Sequence, residues 1–509
     1  MKLYTKTVKQ SLVALTLGGL VLSSCTKDFE EINTDPNNLS KIQSGWLITA
    51  AQKRLMDEQW DEWINGRTGM YYAQYWAATS YTEESRYQIR EGVNDAFYNG
   101  FYAGGLMDLR QAEVLAAEEG SGAEQMNTIA VSKLLQAWGF HVVTDMYGDV
   151  PFSEALSGSA ATPIFSPKYD AQSDVYAGIV SMIDEALAMI DVNTSMGSNN
   201  SNDIVYGGDM MSWAKFGNSL KMRVALRMAD ADPAAAQAAF EAAGNSAAGA
   251  FTSNMDNALF YYQGASPNNN PQNENWKTRQ DFCPSDVMMG YLSDSVTDDP
   301  RRMIYGDMAA ASGTYVGMPY GLDNANATAI DNSQVSMPGA AVLEATAPGV
   351  YIDYAEICFA MAEAIERGWT WNGAMSAQAY YEAGVTASME YWGITDAAAI
   401  TAFITANPYD AADWVNVIGT QKWVALYMQG LQGWYEFRRL DFTMPGGTAL
   451  FKHPIDGSLD PDITPTGVMF PTRMTYASQE YSLNAENVSA AAANIGGDSK
   501  AVRVWWDTK

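Results

Sequence analysis

The chain has 509 residues, 59 of them acidic against 30 basic, and a formal charge of −29 at pH 7. So acidic a surface lacks the basic patch that displaces counterions from phosphate, so no nucleic acid is expected as a partner. Three cysteines argue against a disulfide scaffold, and the length exceeds the roughly 250–300 residues at which one core stops growing, which calls for domains or repeats.

The chain opens with Lys2, Lys6 and Lys9, then an apolar run from Leu12 to Leu22, then Leu22, Ser23, Ser24 and Cys25. This is the layout of a secretory signal ending in a bacterial lipoprotein lipobox. The run falls short of the roughly 20 apolar residues that cross a bilayer. Residues 1–24 are therefore expected to be cleaved, with Cys25 carrying the acyl chains. Each buried methylene contributes about 0.8 kcal/mol, so such chains hold a domain on a membrane without a spanning helix. The competing reading is an ordinary signal peptide with a chance cysteine. A tether is expected over 25–45 and a single domain over 46–509, because no Pro/Ser-rich linker or composition shift divides the chain.

The first segment of interest is Met70 to Tyr87, which holds Tyr71, Tyr72, Tyr75, Trp76, Tyr81, Arg86 and Tyr87. That is more aromatic residues than one buried helix face requires. His141 falls in an apolar helical run and reads as a core histidine. Further on, Trp213, Phe216, Leu220, Val224 and Met228 recur at helical spacing; Asp232 and Pro233 break the pattern, and a second helix follows through AAAQAAFEAA. Tyr354, Ile357, Met361 and Ile365 line another helix, answered after a short turn by AYYEAGVTASMEYWG. These are helical hairpins of tetratricopeptide character, loosely matched to the 34-residue repeat. Between them lie long polar segments at 264–282 and 309–347, too long to be simple connections. Near the end, QKWVALYMQGLQGWYEFRRLDF predicts one long helix. Gly430 and Gly433 inside it cost about 1 kcal/mol each relative to alanine, so a neighbouring backbone is expected to pack there. Cys283 and Cys358 are expected as buried free thiols, since Cys358 sits in an apolar helical pattern, although a bridge between them stays open.

The chain resembles the SusD/RagB-type nutrient-binding outer-membrane lipoproteins of the Bacteroidetes from the lipobox to the C-terminus. DFEEINTDPNN at 28–38 resembles the family's opening. In TDMYGDVPFSEA, Asp145, Tyr147, Gly148, Asp149, Pro151, Glu154 and Ala155 fit, with Phe152 in place of the more usual tyrosine. Trp213, Lys215, Asn218, Ser219, Leu220, Arg223 and Arg227 make a further block, and Glu356, Ala362, Glu363, Ala364, Arg367 and Gly368 another. Gln421, Lys422, Trp423, Gly430, Trp434, Glu436, Arg438 and Arg439 match the signature helix. Pro471, Arg473, Tyr476, Glu480, Asn484 and Asn487 match the closing segment, where Ala477 departs from a common proline.

The resemblance implies an all-α fold, with tetratricopeptide-like helix pairs as scaffold and a ligand site built from long inserted loops. It implies a lipid-anchored protein on the outer face of the outer membrane that captures an oligosaccharide or peptide and delivers it to a SusC-like TonB-dependent transporter. Arg223, Arg227, Glu363, Arg438 and Arg439 read as links between neighbouring helices or as members of solvated faces, and not as ligand contacts, because a half-buried charge needs a partner. Ligand contacts are sought among aromatics, whose faces stack on the C–H face of a sugar while polar side chains bond hydroxyls. Trp76, Tyr81 and Arg86 in the first aromatic segment, and Asn275, Trp276 and Arg279 in the 264–282 loop, are the candidates. No cofactor or metal is expected; the acidic stretch Asp294 to Asp299 lacks EF-hand spacing.

Two other classes compete. A lipid-anchored glycoside hydrolase needs two positioned carboxylates, which so acidic a chain could supply. The parts for zinc, serine-triad or phosphoryl chemistry are missing, with two histidines and no HExxH, GxSxG or Walker loop. A non-catalytic scaffold is the other alternative. The expectation is a binding protein and not an enzyme.

Overall fold

Four of the helices that carry the scaffold begin where a side chain accepts the orphaned amides of a first turn. Asp209 accepts from Met211 N at 3.1 Å, Asp232 from Ala235 N at 3.1 Å ahead of Pro233, Asp353 from Glu356 N at 2.8 Å, and Ser376 from Ala379 N at 3.2 Å. The computed structural model describes residues 42–160, 162–294, 298–464 and 467–509. The signal segment 1–24, Cys25 and most of the 25–45 tether lie outside them.

The compact unit is Ser44–Lys509. Its scaffold helices are α1 (Ser44–Trp60), α2 (Met107–Glu119), α3 (Ala123–Tyr147), α4 (Gln172–Met189), α5 (Met210–Arg227), α6 (Pro233–Gly244), α7 (Tyr354–Glu366), α8 (Ala377–Tyr391), α9 (Trp414–Ala425) and α10 (Gly430–Leu440). Successive helices pair: α2 with α3, α3 with α4, α5 with α6, and α7 with α8; α5 and α9 also pack on α7. The fold is thus all-α in its scaffold, as expected. Both hairpins read from the sequence are present, and Trp213, Phe216, Leu220, Val224 and Met228 are all buried. Two short antiparallel ladders, β1 (Trp76–Ala78) with β3 (Phe282–Pro284) and β2 (Ala258–Phe260) with β4 (Gly349–Ile352), tie the inserted segments to the helices. Among the described residues no helix is long and apolar enough to cross a membrane.

The predicted long helix over 421–442 is two helices. The chain breaks between α9 and α10, where Met428 takes a left-handed backbone with φ of 73°. Buried Asn65 holds the break, its Nδ2 donating to Met428 O at 2.8 Å and its Oδ1 accepting from Gly430 N at 2.9 Å. Asn65→Ala would strand both backbone groups away from water and is expected to cost about 2 kcal/mol, read from denaturant unfolding. Gly430 meets a neighbouring backbone, as expected: a Cβ there would lie 2.4 Å from Gly69 C and Met70 N. Gly433 instead faces a side chain, with the Tyr75 hydroxyl 2.4 Å from a built Cβ.

The charged residues of the signature blocks link helices through the core. Arg223 pairs with Glu356. Arg227 reaches Asp145 and Glu436 at 3.0 Å each, Lys422 reaches Glu436 at 3.0 Å, and Arg439 reaches Glu363 at 2.6 Å and Glu436 at 2.7 Å. Arg367 adds a bond to Glu363 at 2.8 Å. One network therefore joins α3, α5, α7, α9 and α10. Arg438 lies 4.0 Å from the Trp434 ring centroid and donates to the Asp145 carbonyl at 3.0 Å. His141 is a core residue, and burial lowers its pKa to about 4, so it is neutral at physiological pH. Cys283 and Cys358 are buried free thiols.

Candidate ligand-binding site

The β1–β3 ladder joins the two segments that the sequence singled out. Trp76 pairs with Pro284 and Ala78 with Phe282, and the pairing continues as Thr79 N donates to Asp281 O at 2.8 Å. Beyond the ladder, Tyr81 and Arg279 meet, the guanidinium carbon 4.9 Å from the ring centroid. Tyr81 is 50% exposed. Its backbone is left-handed, with φ of 54°, a conformation that costs energy for an aromatic residue and clusters at functional sites. Asn324 Oδ1 holds it there, accepting from Tyr81 N at 2.8 Å. Arg279 is fixed from the other side by Asp281 at 2.8 Å, which also binds buried Arg67 at 2.7 Å.

Trp276 is half-buried at the outer end of an aromatic stack. It lies 5.5 Å from Phe282, which lies 4.6 Å from Trp76. Trp76 itself has no exposed surface, and its Nε1 donates to the Tyr427 hydroxyl at 2.8 Å. This corrects the expectation for Trp76: its faces are closed by the core and cannot stack on a sugar. Arg86 is corrected likewise. It is buried, donates to Ser458 O at 2.5 Å and to the Thr82 hydroxyl at 3.4 Å, and so pins the 457–460 loop. Tyr71, Tyr72, Tyr75 and Tyr87 are core residues too.

Asn275 and Arg279 line an open cleft of 560 Å³ with Asp57, Glu58, Asp61, Glu62 and Glu274. Another part of its wall is the end of α1 and the start of the π-helical segment Glu62–Gly69, which Asp61 caps by accepting from Trp63 N at 2.7 Å and Ile64 N at 3.1 Å. Burial pushes the Glu58 carboxyl up to about 7, Arg54 opposing and Asp61 and Asp57 adding to the rise. Burial also raises Asp61 and Glu62. Arg54 pairs with the Glu58 carboxylate at 2.8 Å. A cleft with such groups, the Arg279 fork and an exposed tyrosine on its shoulder can bind a ligand rich in hydroxyls.

A family model described as starch-binding and associating with the outer membrane, SusD-like, matches residues 36–476. The chain belongs to the SusD-like family. Solved structures agree on the fold. A chitin-binding protein superposes with a TM-score of 0.78 at 24% identity, covering 92% of this chain and 100% of its own. A chitin-binding SusD homologue from Flavobacterium johnsoniae gives 0.75 at 24% identity, over 91% of this chain and 99% of its own. A SusD homologue from Parabacteroides distasonis gives 0.78 at 20% identity, over 92% and 98%. None of the curated proteins matches this chain.

Within this SusD-like chain, the acidic wall escaped the sequence reading. A signal for it was present: Asp57, Glu58, Asp61 and Glu62 cluster within six residues, although α1 ends at Trp60 and Asp61 caps the next helical segment. Asn324 carried no such signal, since only folding brings residue 324 to residue 81.

Proposed function

We propose that the protein is a cell-surface lipoprotein, held in the outer membrane by acyl chains on Cys25, that captures an oligosaccharide and passes it to a SusC-like TonB-dependent transporter without cleaving it. The observation that carries this reading is the family match over residues 36–476, with its starch-binding, outer-membrane description. The site supports it. Tyr81, Asn275, Trp276 and Arg279 come from two inserted segments on one face, where an exposed ring and convergent polar groups suit a sugar. The chitin-binding relatives add weight to a glycan over a peptide.

Calorimetric titration with maltooligosaccharides, chitooligosaccharides and mixed peptides tests it. Tyr81→Ala is expected to weaken glycan binding about tenfold, the roughly 1.4 kcal/mol of one ring contact, with the melting temperature unchanged because the side chain is half exposed. Binding of peptides alone would overturn the glycan reading, and release of shorter sugars by the purified protein would overturn the non-catalytic one. Recovery of a TonB-dependent transporter on affinity purification from the membrane tests the partner.

A further inference from the structure

Tyr81 is a pivot between two anchored neighbours. On one side the Ser80 hydroxyl donates to Asp281 Oδ1 at 3.3 Å, and Thr79 N donates to Asp281 O at 2.8 Å. On the other, the hydroxyl and carbonyl of buried Thr82 accept from Arg86 at 3.4 Å and from the Ser85 hydroxyl at 2.9 Å. Between them the Tyr81 backbone is left-handed, with φ of 54°, which a bulky residue keeps only where its surroundings impose it. Its amide donates to Asn324 Oδ1 at 2.8 Å. A backbone N–H can only donate, so the Asn324 side chain must turn its oxygen towards it.

Asn324 is itself held. It opens the helical turn Asn324–Thr328, which Asp323 caps by accepting from Asn326 N at 2.8 Å, and the Thr328 hydroxyl donates to Asn324 O at 2.7 Å. That turn is bound to the 452–460 loop. Asn326 donates to the Asp456 carboxylate, Asp456 N donates to Gly321 O at 3.1 Å, and a Cβ built on Gly321 would lie 2.3 Å from Pro454 Cα. Arg86 pins the same loop through Ser458 O. The place of Asn324 is therefore set by the fold and not by Tyr81. Across the ring, Arg279 covers one face of Tyr81, and Asp281 ties that guanidinium to buried Arg67. The ring is backed by a cation and still half exposed.

We propose that Asn324 is a positioning residue for ligand binding: by holding the Tyr81 amide it keeps the backbone left-handed, and so keeps the ring against Arg279 with the opposite face turned to the ligand. Without that bond the backbone relaxes towards negative φ and the ring leaves the guanidinium. The ligand then has to order a free side chain, an entropic cost that a preset ring avoids. Asn324 acts through Tyr81 and touches no ligand itself. The proposal rests on the reading of Tyr81 as a glycan contact.

The test is titration of the full-length protein with maltooligosaccharides and chitooligosaccharides, for the wild type, Tyr81→Ala, Asn324→Ala, Asn324→Asp and the Tyr81→Ala/Asn324→Ala double variant. Asn324→Ala is expected to weaken binding about fivefold, the effect of freeing one side chain, with the melting temperature unchanged because Asn324 is exposed. Asn324→Asp keeps an acceptor for the amide and is expected to restore most of the affinity. In the double variant Asn324→Ala is expected to add nothing to Tyr81→Ala, since the two residues act as one unit. Hydrogen exchange resolved to single amides reads the same bond without a ligand. The Tyr81 N–H is expected to exchange at least about tenfold faster in Asn324→Ala, while the Thr79 N–H, bonded to Asp281 O, exchanges as in the wild type. Wild-type affinity in Asn324→Ala, no restoration by Asn324→Asp, an equal loss in the Tyr81→Ala background, or unchanged Tyr81 exchange would each overturn the proposal. Full affinity in Tyr81→Ala, or no glycan binding by the wild type, is a different result, which would overturn the glycan contact on which the proposal rests.

Discussion

Arg439→Ala is expected to lower stability by about 3–5 kcal/mol, the cost of leaving buried charges uncompensated. The guanidinium is buried and holds two carboxylates, Glu363 at 2.6 Å and Glu436 at 2.7 Å. Burial by itself would raise Glu363, but Arg439 and Arg367 outweigh it and hold the carboxyl down at about 2. Burial likewise opposes ionisation of Glu436, and Arg439, Lys422 and Arg227 hold it well below its ordinary range. Carboxylates with folded-state values below their unfolded ones contribute stability that is complete above about 4.5 and lost as pH falls through about 2. Asp353 works in the opposite sense: burial, with Glu356 adding, raises it to about 6, so its contribution declines as pH rises toward that value. Denaturant unfolding at pH 7 reads the first effect. Melting curves of wild type and variant from pH 7 to 2 read the second, and the gap between them is expected to narrow at the acid end. A gap that is independent of pH would show that Arg439 acts through packing and not through its two carboxylates. Arg439→Lys is expected to recover only part of the loss, because an ammonium cannot bridge two carboxylates with a planar fork.

Gly430→Ala is expected to cost about 3 kcal/mol, the upper end for overpacking a well-filled core. A methyl at that position would lie 2.4 Å from Gly69 C and Met70 N, and Gly69 in turn has no room, its built Cβ meeting Leu431 N at 2.7 Å. Both obstacles are backbone, so no side-chain rotation relieves them. The crossing also seats Asn65, whose two bonds hold the break before α10. Gly433→Ala is the comparison. There the nearest atoms belong to the Tyr75 ring, whose hydroxyl donates to Trp423 O at 2.6 Å, so a smaller loss is expected as the ring shifts. Unfolding midpoints of the two variants measure the difference.

Helices whose apolar stripes are continuous were legible along the chain. The Trp213 to Met228 stripe, its Asp232–Pro233 stop and the Tyr354 to Ile365 stripe came from periodicity and capping, which are local properties. The same local reading failed at 421–442. Nothing within that stretch demands a break; a buried asparagine more than 350 positions away in sequence holds one. The aromatic segment at 70–87 shows the same limit. Composition marked it out, yet its period could not separate Tyr81, which is exposed, from Trp76, which is sealed against Phe282 and Tyr427.

The sequence by itself determined the helical scaffold and the family and marked out two candidate segments, because periodicity, caps and ordered motif blocks are written in neighbouring residues; that the two segments pair came from the fold. It also supplied the residue types of the buried charge network, whose members had to find partners once removed from water. Only the tertiary structure decided which aromatic faces stay open, which arginines are spent on loops and helices, and where the acidic wall stands. Those outcomes depend on contacts between segments hundreds of residues apart, and exposure is a property of the packed whole that no single segment encodes.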